Sequence, residues 1–428
     1  MEFYSDLHIH SRFSRACSKR LTIPEIYRWS LLKGIELIGT SDFTHPKWFE
    51  EIKEHLVEDD TGLLKLKKKF QTKLDREIPV TCIEDVRFIL STEISLIYKK
   101  NDKVRKVHIL ILAPNLSTVE KINSKLSTIG NIKSDGRPIL GYDSKDLLEI
   151  ILEINNECLV IPAHIWTPWF SIFGDKSGFN SIEECFEDLS DNIYAVETGL
   201  SSDPSMNWLV GNLDDRTIIS NSDAHSPENI GREGNIFDCK LTYENISDAI
   251  KTHDKRFKGT IEFYPEEGRY HYDGHRKCNI NWHPSKSEKN KNICPVCSKK
   301  LTIGVLNRVY KLSTRIFGGK STNAKPFYNV IPLRQILSEI LGKGVNTKTV
   351  TNEYFKLINK FGNELFISLD ISLDKLAEYS SILSKAIEKV RHNKVKITPG
   401  YDGVYGKINI FSPQEITKQR NIEQIEFI

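Results

Sequence analysis

Apolar and polar positions alternate in two rhythms along this chain. Short apolar, β-branched runs at 35–38, 86–98, 107–113, 158–162, 193–196 and 217–219 predict strands, and a shorter run precedes His8. Amphipathic stretches separate several of them. In residues 144–157, Leu147, Leu148, Ile151, Leu152 and Ile154 recur at helical spacing, with Ser144 placed to cap the helix. Strand–helix alternation predicts an α/β front domain built on a largely parallel sheet or a barrel. The runs 86–98 and 107–113 flank a charged turn, which predicts a hairpin. From Pro326 the pattern becomes mainly helical. Gly342 ends a predicted helix over 332–341, Gly362 ends one over 347–361, and a third spans 373–390 with Leu376, Leu383, Ile387 and Val390 on one face. Three units follow from this: 1–265, a short lysine-rich module at 266–325, and a mainly helical part at 326–428.

The placement of polar residues on the front domain carries the chemistry. Almost every predicted strand has a metal-type ligand at or beside an end: Asp6, His8 and His10, then Asp42 and His45, Glu93, His108, His164, Glu197, and Asp223 with His225. Residues i and i+2 on a strand share a face, so His8/His10 and Asp223/His225 can each chelate. His108 begins its run, but the hairpin returns that start to the end of the preceding strand. A lone histidine is more often a hydrogen-bonded core residue than a ligand; the joint pattern favours a metal centre at the mouth of a barrel. Imidazole and carboxylate donors suit Zn, Mn, Mg or Fe. The ligands outnumber the needs of one tetrahedral ion, which predicts two or three. Glu197 is the ligand whose alternative is to pair with a nearby base.

A second cluster lies in the lysine-rich module. Cys278-x4-His283-x10-Cys294-Pro295-Val296-Cys297 supplies a structural zinc site of Cys3His type, with His271 and His275 close enough to compete for the fourth place. Such a segment has little core, so the metal would supply its folding energy.

Charge sharpens the division. The 428 residues carry 60 Lys+Arg against 57 Asp+Glu. Residues 271–428 hold 26 basic and 13 acidic side chains, and residues 1–270 hold 34 and 44. A basic carboxyl-terminal part behind an acidic front suggests a grip on a polyanion, and basic zinc modules commonly touch nucleic-acid phosphates. With 39% hydrophobic and 27% charged residues, disorder is excluded, and no apolar run approaches a membrane span. The amino terminus lacks the basic and apolar regions of a secretory signal, and scattered cysteines read as reduced thiols, so the expected location is cytoplasmic and nucleoid-associated, with no membrane partner.

The segments DLHIHS, GTSDFTH, STE, His108, PAH and SDAH resemble the successive motifs of the PHP superfamily of metal-dependent phosphoesterases, over residues 1–238. That resemblance implies a distorted (βα)7 barrel with a trinuclear centre. His8, His10, Glu93 and Asp223 would hold one ion and be the catalytic residues, Glu93, His108 and His164 would hold a second, and His225 would help hold a third. Two departures concern the third ion. Ser14, Arg15 and Cys17 stand where many members have a further histidine, and Asp42-Phe43-Thr44-His45 replaces an adjacent Asp-His, leaving Asp42 or His45 to serve. Almost the whole chain, through PAHIWTPWFSIFG, YHYDGHRKC, CPVC and PGYDGVYGKI, resembles the endonuclease Q family. This implies a DNA repair endonuclease that cuts on the 5′ side of uracil, hypoxanthine, xanthine or an abasic site in double-stranded DNA. Metal-assisted hydrolysis would leave a 3′-hydroxyl and a 5′-phosphate.

For such a task a damaged base must be unstacked. Trp166, Trp169, Phe170 and Phe173 follow His164 closely and are candidates to stack on it or wedge the gap; the competing reading is a plug of core aromatics. Ser171, Lys176, Ser201, Arg276 and Lys277 are candidates to read polar edges or phosphates. Two other functions compete: a small-molecule phosphatase, and a non-catalytic DNA-binding scaffold, the latter disfavoured because every ligand position keeps ligand chemistry. The terminal QRNIEQIEFI fits a sliding-clamp peptide poorly, and no clamp is assigned from it.

Overall fold

A computed structural model describes residues 2–316 and 318–415. The front part is mixed α/β. Its main strands are β1 (Glu2–Asp6), β2 (Leu37–Gly39), β3 (Arg87–Lys100), β4 (Lys103–Ala113), β5 (Leu159–Pro162), β6 (Ala195–Glu197), β7 (Thr217–Ile219), β8 (Gly234–Asp238) and β9 (Phe257–Glu262). β1 pairs with β2 and β2 with β3 in parallel, as does β6 with β7. β4 runs against both β3 and β5, so the largely parallel order expected from the sequence is interrupted by the long β3/β4 hairpin. Beyond β7 the chain comes back alongside the end of β1, where Ile9 bridges Ala224 and the Asp223 N–H donates to the His8 carbonyl at 2.9 Å.

The period-2 geometry of these strands explains both core and site. Leu37, Ile89, Leu110, Leu112, Leu159, Ile161, Ala195 and Ile219 share one apolar cluster with Leu7. Two residues on from that layer, the same faces turn polar: Ile89 leads through Ser91 to Glu93, Leu110 leads back to His108, Ala195 to Glu197, and Ile219 through Asn221 to Asp223. Because β4 is inverted, its ligand stands at its start and still joins the others. The outer faces pack against helices such as Ile23–Lys33 and Ser144–Ile154. Asp143, not Ser144, caps the latter, accepting from the Lys145 N–H at 2.9 Å, and Ser144 accepts from the Tyr98 hydroxyl.

The carboxyl-terminal part packs onto this body. β10 (Phe327–Asn329) joins β9 in parallel, and a buried Lys33–Glu364 pair (2.7 Å) ties the first helix to the last hundred residues. Helices run over Leu333–Leu341, Lys348–Phe361, Leu373–Tyr379 and Ser381–Arg391. The first is ended by Gly342 in the left-handed conformation (φ 61°). The expected single helix over 373–390 is broken because the extended Ser380 accepts from the Leu383 N–H and starts a new helix. No helix among the described residues is long and apolar enough to cross a membrane. QRNIEQIEFI lies outside the described residues.

Candidate active site

The rim of the front domain brings together two ligand groups that share one carboxylate. His8, His10, Glu93 and Asp223 present ligand atoms within 4.8 Å of one another, as do Glu93, His108 and His164. Glu93 Oε2 lies 3.7 Å from His8 Nε2 and 3.3 Å from His10 Nε2. Its Oε1 lies 2.6 Å from His108 Nδ1 and 3.0 Å from His164 Nε2. One carboxylate thus faces both groups, one oxygen to each.

The donor chemistry fits divalent ions. His8 Nε2, His10 Nε2 and Asp223 Oδ1 are buried without a hydrogen-bond partner, although His10 Nε2 and Asp223 Oδ1 are 2.9 Å apart. Atoms that close but misaligned point at a common space rather than at each other. The opposite ring nitrogens are satisfied: His8 Nδ1 meets Glu197 at 3.0 Å and His10 Nδ1 meets Asp42 at 3.1 Å. This carboxylate–histidine arrangement fixes tautomer and ring direction at metal sites.

Four other expected ligands lie outside the two groups. Glu197 accepts from His8, from Asn221 Nδ2 at 2.8 Å and from the His164 N–H at 2.9 Å, so it orients His8. Asp42 is occupied by His10, the Ser11 N–H and hydroxyl, and the Ser14 hydroxyl. His45 is spent as a helix cap, its Nδ1 accepting from the Trp48 N–H, with its ring stacked on Phe13 at 4.4 Å. His225 sits edge-on to His10 at 4.7 Å with Nδ1 donating to the Asp223 carbonyl; it borders the cluster without entering either group.

Electrostatics follow from packing. Burial pushes His108 down to about 4, leaving a neutral ring. Burial also opposes charge on His8 and His10, yet Glu197 and Glu93 around the first, and Asp223 and Asp42 around the second, raise both well above the ordinary value. Burial alone would raise Glu93; His108, Arg137 and His8 hold it well below the usual carboxylate range. Backbone strain collects here: Asp42, His164 and Asp223 have φ of 40°, 30° and 47°. Gly199 packs against one of them, since a Cβ there would fall 2.3 Å from the His164 Cβ.

Arg137 is the residue sequence reasoning missed. Its Nη1 donates to Glu93 Oε2 at 2.9 Å from a loop between elements, where no spacing rule singles it out.

The aromatic loop divides. Trp166 and Phe173 are buried against each other (5.0 Å), with the Trp166 indole N–H donating to Asn207, so they pack the loop against the body of the domain. Ser171 is buried too, its hydroxyl turned to the Thr167 carbonyl. Arg308 is buried and clamps this loop through the Phe173 and Phe179 carbonyls. Phe170 lies 4.8 Å from the His108 ring, and Trp169 is 46% exposed, edge-on to Tyr270. Beside Tyr270, the turn at 401–406 leaves Tyr405 67% exposed with Arg269 over its ring, a surface the sequence did not mark. Lys176 pairs with Asp175, Ser201 is half-buried, and Arg276 and Lys277 are exposed beside the cysteine cluster.

That second cluster holds Cys278, Cys294 and Cys297 with His275, not His283. His275 Nδ1 is 3.6 Å from Cys297 Sγ. His283 instead caps the helix Pro284–Lys289 and packs edge-on to Tyr272 and Tyr310. Burial opposes ionisation of Cys294, but the N–H groups of Cys297 and Val296 aimed at its sulfur lower its pKa, the signature of a metal-binding turn.

Comparisons with known proteins cover the whole chain. Residues 332–394 match the MJ0043 C-terminal domain family. An uncharacterized Methanocaldococcus jannaschii protein, MJ0043, is 34% identical over 59% of this chain, which spans 32% of that protein's length. Bacillus subtilis YqxK is 28% identical over 95% of this chain and 99% of its own. The lesion-specific endonuclease PfuEndoQ of Pyrococcus furiosus superposes with a TM-score of 0.84 and 31% identity, over 100% of this chain and 99% of that one. Endonuclease Q in complex with a 27-mer duplex substrate carrying an abasic lesion at its active site gives 0.82 and 31%, over 98% of each. Agreement over full length, in sequence and in fold, shows that this chain belongs to the endonuclease Q family.

Proposed function

We propose that this protein is a metal-dependent DNA repair endonuclease that hydrolyses the phosphodiester on the 5′ side of uracil, hypoxanthine, xanthine or an abasic site, leaving a 3′-hydroxyl and a 5′-phosphate. The observation that carries the reading is Glu93, one of whose oxygens faces His8 and His10 while the other faces His108 and His164. Membership of the family, and the relative bound to duplex DNA with an abasic lesion, support DNA as the substrate.

His8, His10, Asp223 and one oxygen of Glu93 would hold one ion; the other oxygen with His108 and His164 would hold a second. Bound divalent ions would supply Lewis acidity and lower the pKa of a water towards about 7. The protein does the rest. Glu197 and Asp42 each hold one ring nitrogen, so the other nitrogen of each imidazole faces the shared space in a fixed direction. Phe170 and Trp169 border the centre and offer rings to an unstacked nucleotide, each such contact being worth about 1–3 kcal/mol. Arg276, Lys277 and the basic carboxyl-terminal residues seat the phosphates. We read the front strands as a distorted PHP-type barrel over 1–265, the cysteine cluster at 266–325 as a structural zinc module, and 326–428 as the basic DNA-binding unit.

The test is incubation with labelled duplexes, each bearing one uracil, hypoxanthine, xanthine or abasic site, alongside an undamaged duplex and a chromogenic phosphate ester. A single nick 5′ to the lesion is expected, and its product should be extended by a polymerase. Turnover of the ester alone would point to a small-molecule phosphatase.

A further inference from the structure

The loop 164–180 carries Trp169 and Phe170, and two arginines hold its base. Arg105 comes from β4 of the same domain. Its guanidinium lies 4.0 Å over the Phe179 ring, donates to the Gly178 carbonyl and meets Glu184 at 3.2 Å. Arg308 comes from the cysteine module. Its Nε donates to the Phe173 carbonyl at 3.0 Å, and its Nη2 donates to the Phe179 carbonyl at 2.8 Å and to Asn180 Oδ1 at 3.0 Å. Phe170, between those anchors and His164, has φ 60° and accepts from the His108 N–H at 3.2 Å, so its place depends on how the loop is held.

Arg308 is buried, and burial opposes its charge; Asp175 and Glu184 favour that charge without forming an ion pair with it. A buried guanidinium without a carboxylate is costly to keep, and its use here is the planar fork, which spans two carbonyls as a lysine or an apolar side chain cannot. The other end of this clamp is tied to the cysteine cluster. Helix Val305–Leu312, which carries Arg308, starts where the fully buried Asp273 accepts from the Gly304 N–H (2.7 Å), from Asn307 Nδ2 (2.6 Å) and from the Ser287 hydroxyl. Asp273 opens the strand Asp273–His275, whose last residue stands with the three cysteines. Gly274, between the two, exchanges backbone hydrogen bonds of 3.0 and 2.8 Å with Thr302. A continuous path thus runs from His275 through Asp273 and the start of the helix to Arg308 and the Phe173 and Phe179 carbonyls.

We propose, building on the nuclease reading above, that Arg308 is a positioning residue through which the cysteine module holds the loop that faces an unstacked base, so that the state of the module sets how well a base lesion is gripped. The rim stands off this path. His8 and His10 take their orienting partners, Glu197 and Asp42, from the front domain, and His108 lies within the β3/β4 ladder.

Arg308→Ala in the full-length protein should raise hydrogen exchange across residues 166–180 and lower kcat/KM on uracil and hypoxanthine duplexes about ten-fold or more, the usual worth of a base–ring contact. Cutting at an abasic site, which offers no base to stack, should stay near wild type, and so should the metal content of the rim and of the cysteine cluster. Equal losses on all three lesions, loss of rim metal, or wild-type exchange and kinetics would each overturn the proposal. Should the alanine variant fail to fold, Arg308→Lys, which keeps the charge without the fork, should show the same order of losses in smaller measure, and equal losses would again overturn it. His275→Ala tests the path from its other end. It should raise exchange across residues 166–180 when Arg308 is present and add nothing there in the Arg308→Ala background; additive effects, or an unmoved loop in the single variant, would overturn the proposal. If the wild-type chain cut no lesion duplex, the nuclease reading would fail, and the exchange measurements would still decide whether Arg308 ties the module to the loop.

Discussion

His8 and His10 each turn one nitrogen to a shared space and give the other to a buried carboxylate, on strands whose lower faces fill an apolar core. His275 and its three cysteines sit on a two-strand hairpin, a single helical turn and the 294–297 turn, with little apolar mass behind them. In the first cluster the protein builds the site, and a bound metal would add reactivity. In the second, a bound metal would have to supply the stability that the sparse core does not. The difference teaches which contacts to cut when separating chemistry from folding.

Asp223→Ala is expected to have the largest effect. It removes one ligand from a centre that the core holds in place, so cleavage should fall at least about a thousand-fold, the rate equivalent of about 4 kcal/mol. Circular dichroism and lesion-duplex affinity should stay near wild type. Parallel loss of fold would show that the rim is not prebuilt.

Chelation should do the reverse at the other cluster. Hydrogen exchange across residues 273–303 should rise sharply without metal, while strands Arg87–Lys100 and Lys103–Ala113 stay protected. His275→Ala should reproduce the local loss, whereas His283→Ala should keep the metal and cost only a helix cap, about 1 kcal/mol. Equal effects of the two histidine variants would return His283 to the ligand set.

These contrasts also show what the sequence makes legible. Ligand-type residues at strand ends are visible because period 2 carries an apolar face into a polar one within two residues, as in Ile89, Ser91 and Glu93. The inverted place of His108 is legible from the charged hairpin. Bonding partners are not. Glu197 and Asp42 have the chemistry of ligands, and only the three-dimensional neighbours His8, Asn221, Ser11 and Ser14 reveal that their oxygens are taken. His275 and His283 lie within one hairpin's length of Cys278, and spacing cannot say which ring turns inward. Trp166 and Trp169 are three residues apart, one in the core and one bare, because the loop between them departs from any regular period. Arg137 belongs to no element or motif, so only its contact with Glu93 brings it forward.

A smaller effect is expected from Glu197→Gln. The amide keeps the shape and can still accept from His8 Nδ1, but loses the charge, and substitutions of this kind typically cost about 10–100-fold in metal affinity or activity. Metal titration of the rim should weaken by that factor while the cysteine cluster binds as before. An unchanged rim would mean that Glu197 holds the fold and not the imidazole.

The subtlest expected difference between the clusters is in pH. Without metal, His8 and His10 titrate well above their ordinary value because Glu197, Glu93, Asp223 and Asp42 outweigh burial. A group raised on folding stabilises fully below its unfolded pKa, about 6.5 for histidine, and that stability is lost as pH rises through the folded value. The melting temperature of the metal-free front part should therefore fall as pH climbs above about 6.5. Glu36 and Glu266, pushed up to about 7 by burial, act with the same sign, but they are present with or without metal. In the loaded protein the ions replace the protons on His8 and His10, so the slope due to these two rings should vanish and only the carboxylate share should remain. Subtracting the loaded from the metal-free profile isolates the imidazoles, and Glu197→Gln should flatten that difference. Identical profiles with and without metal would mean that the rings are not where metal and proton compete, and the contrast between a site the protein builds and one the metal builds would fail at its chemical root.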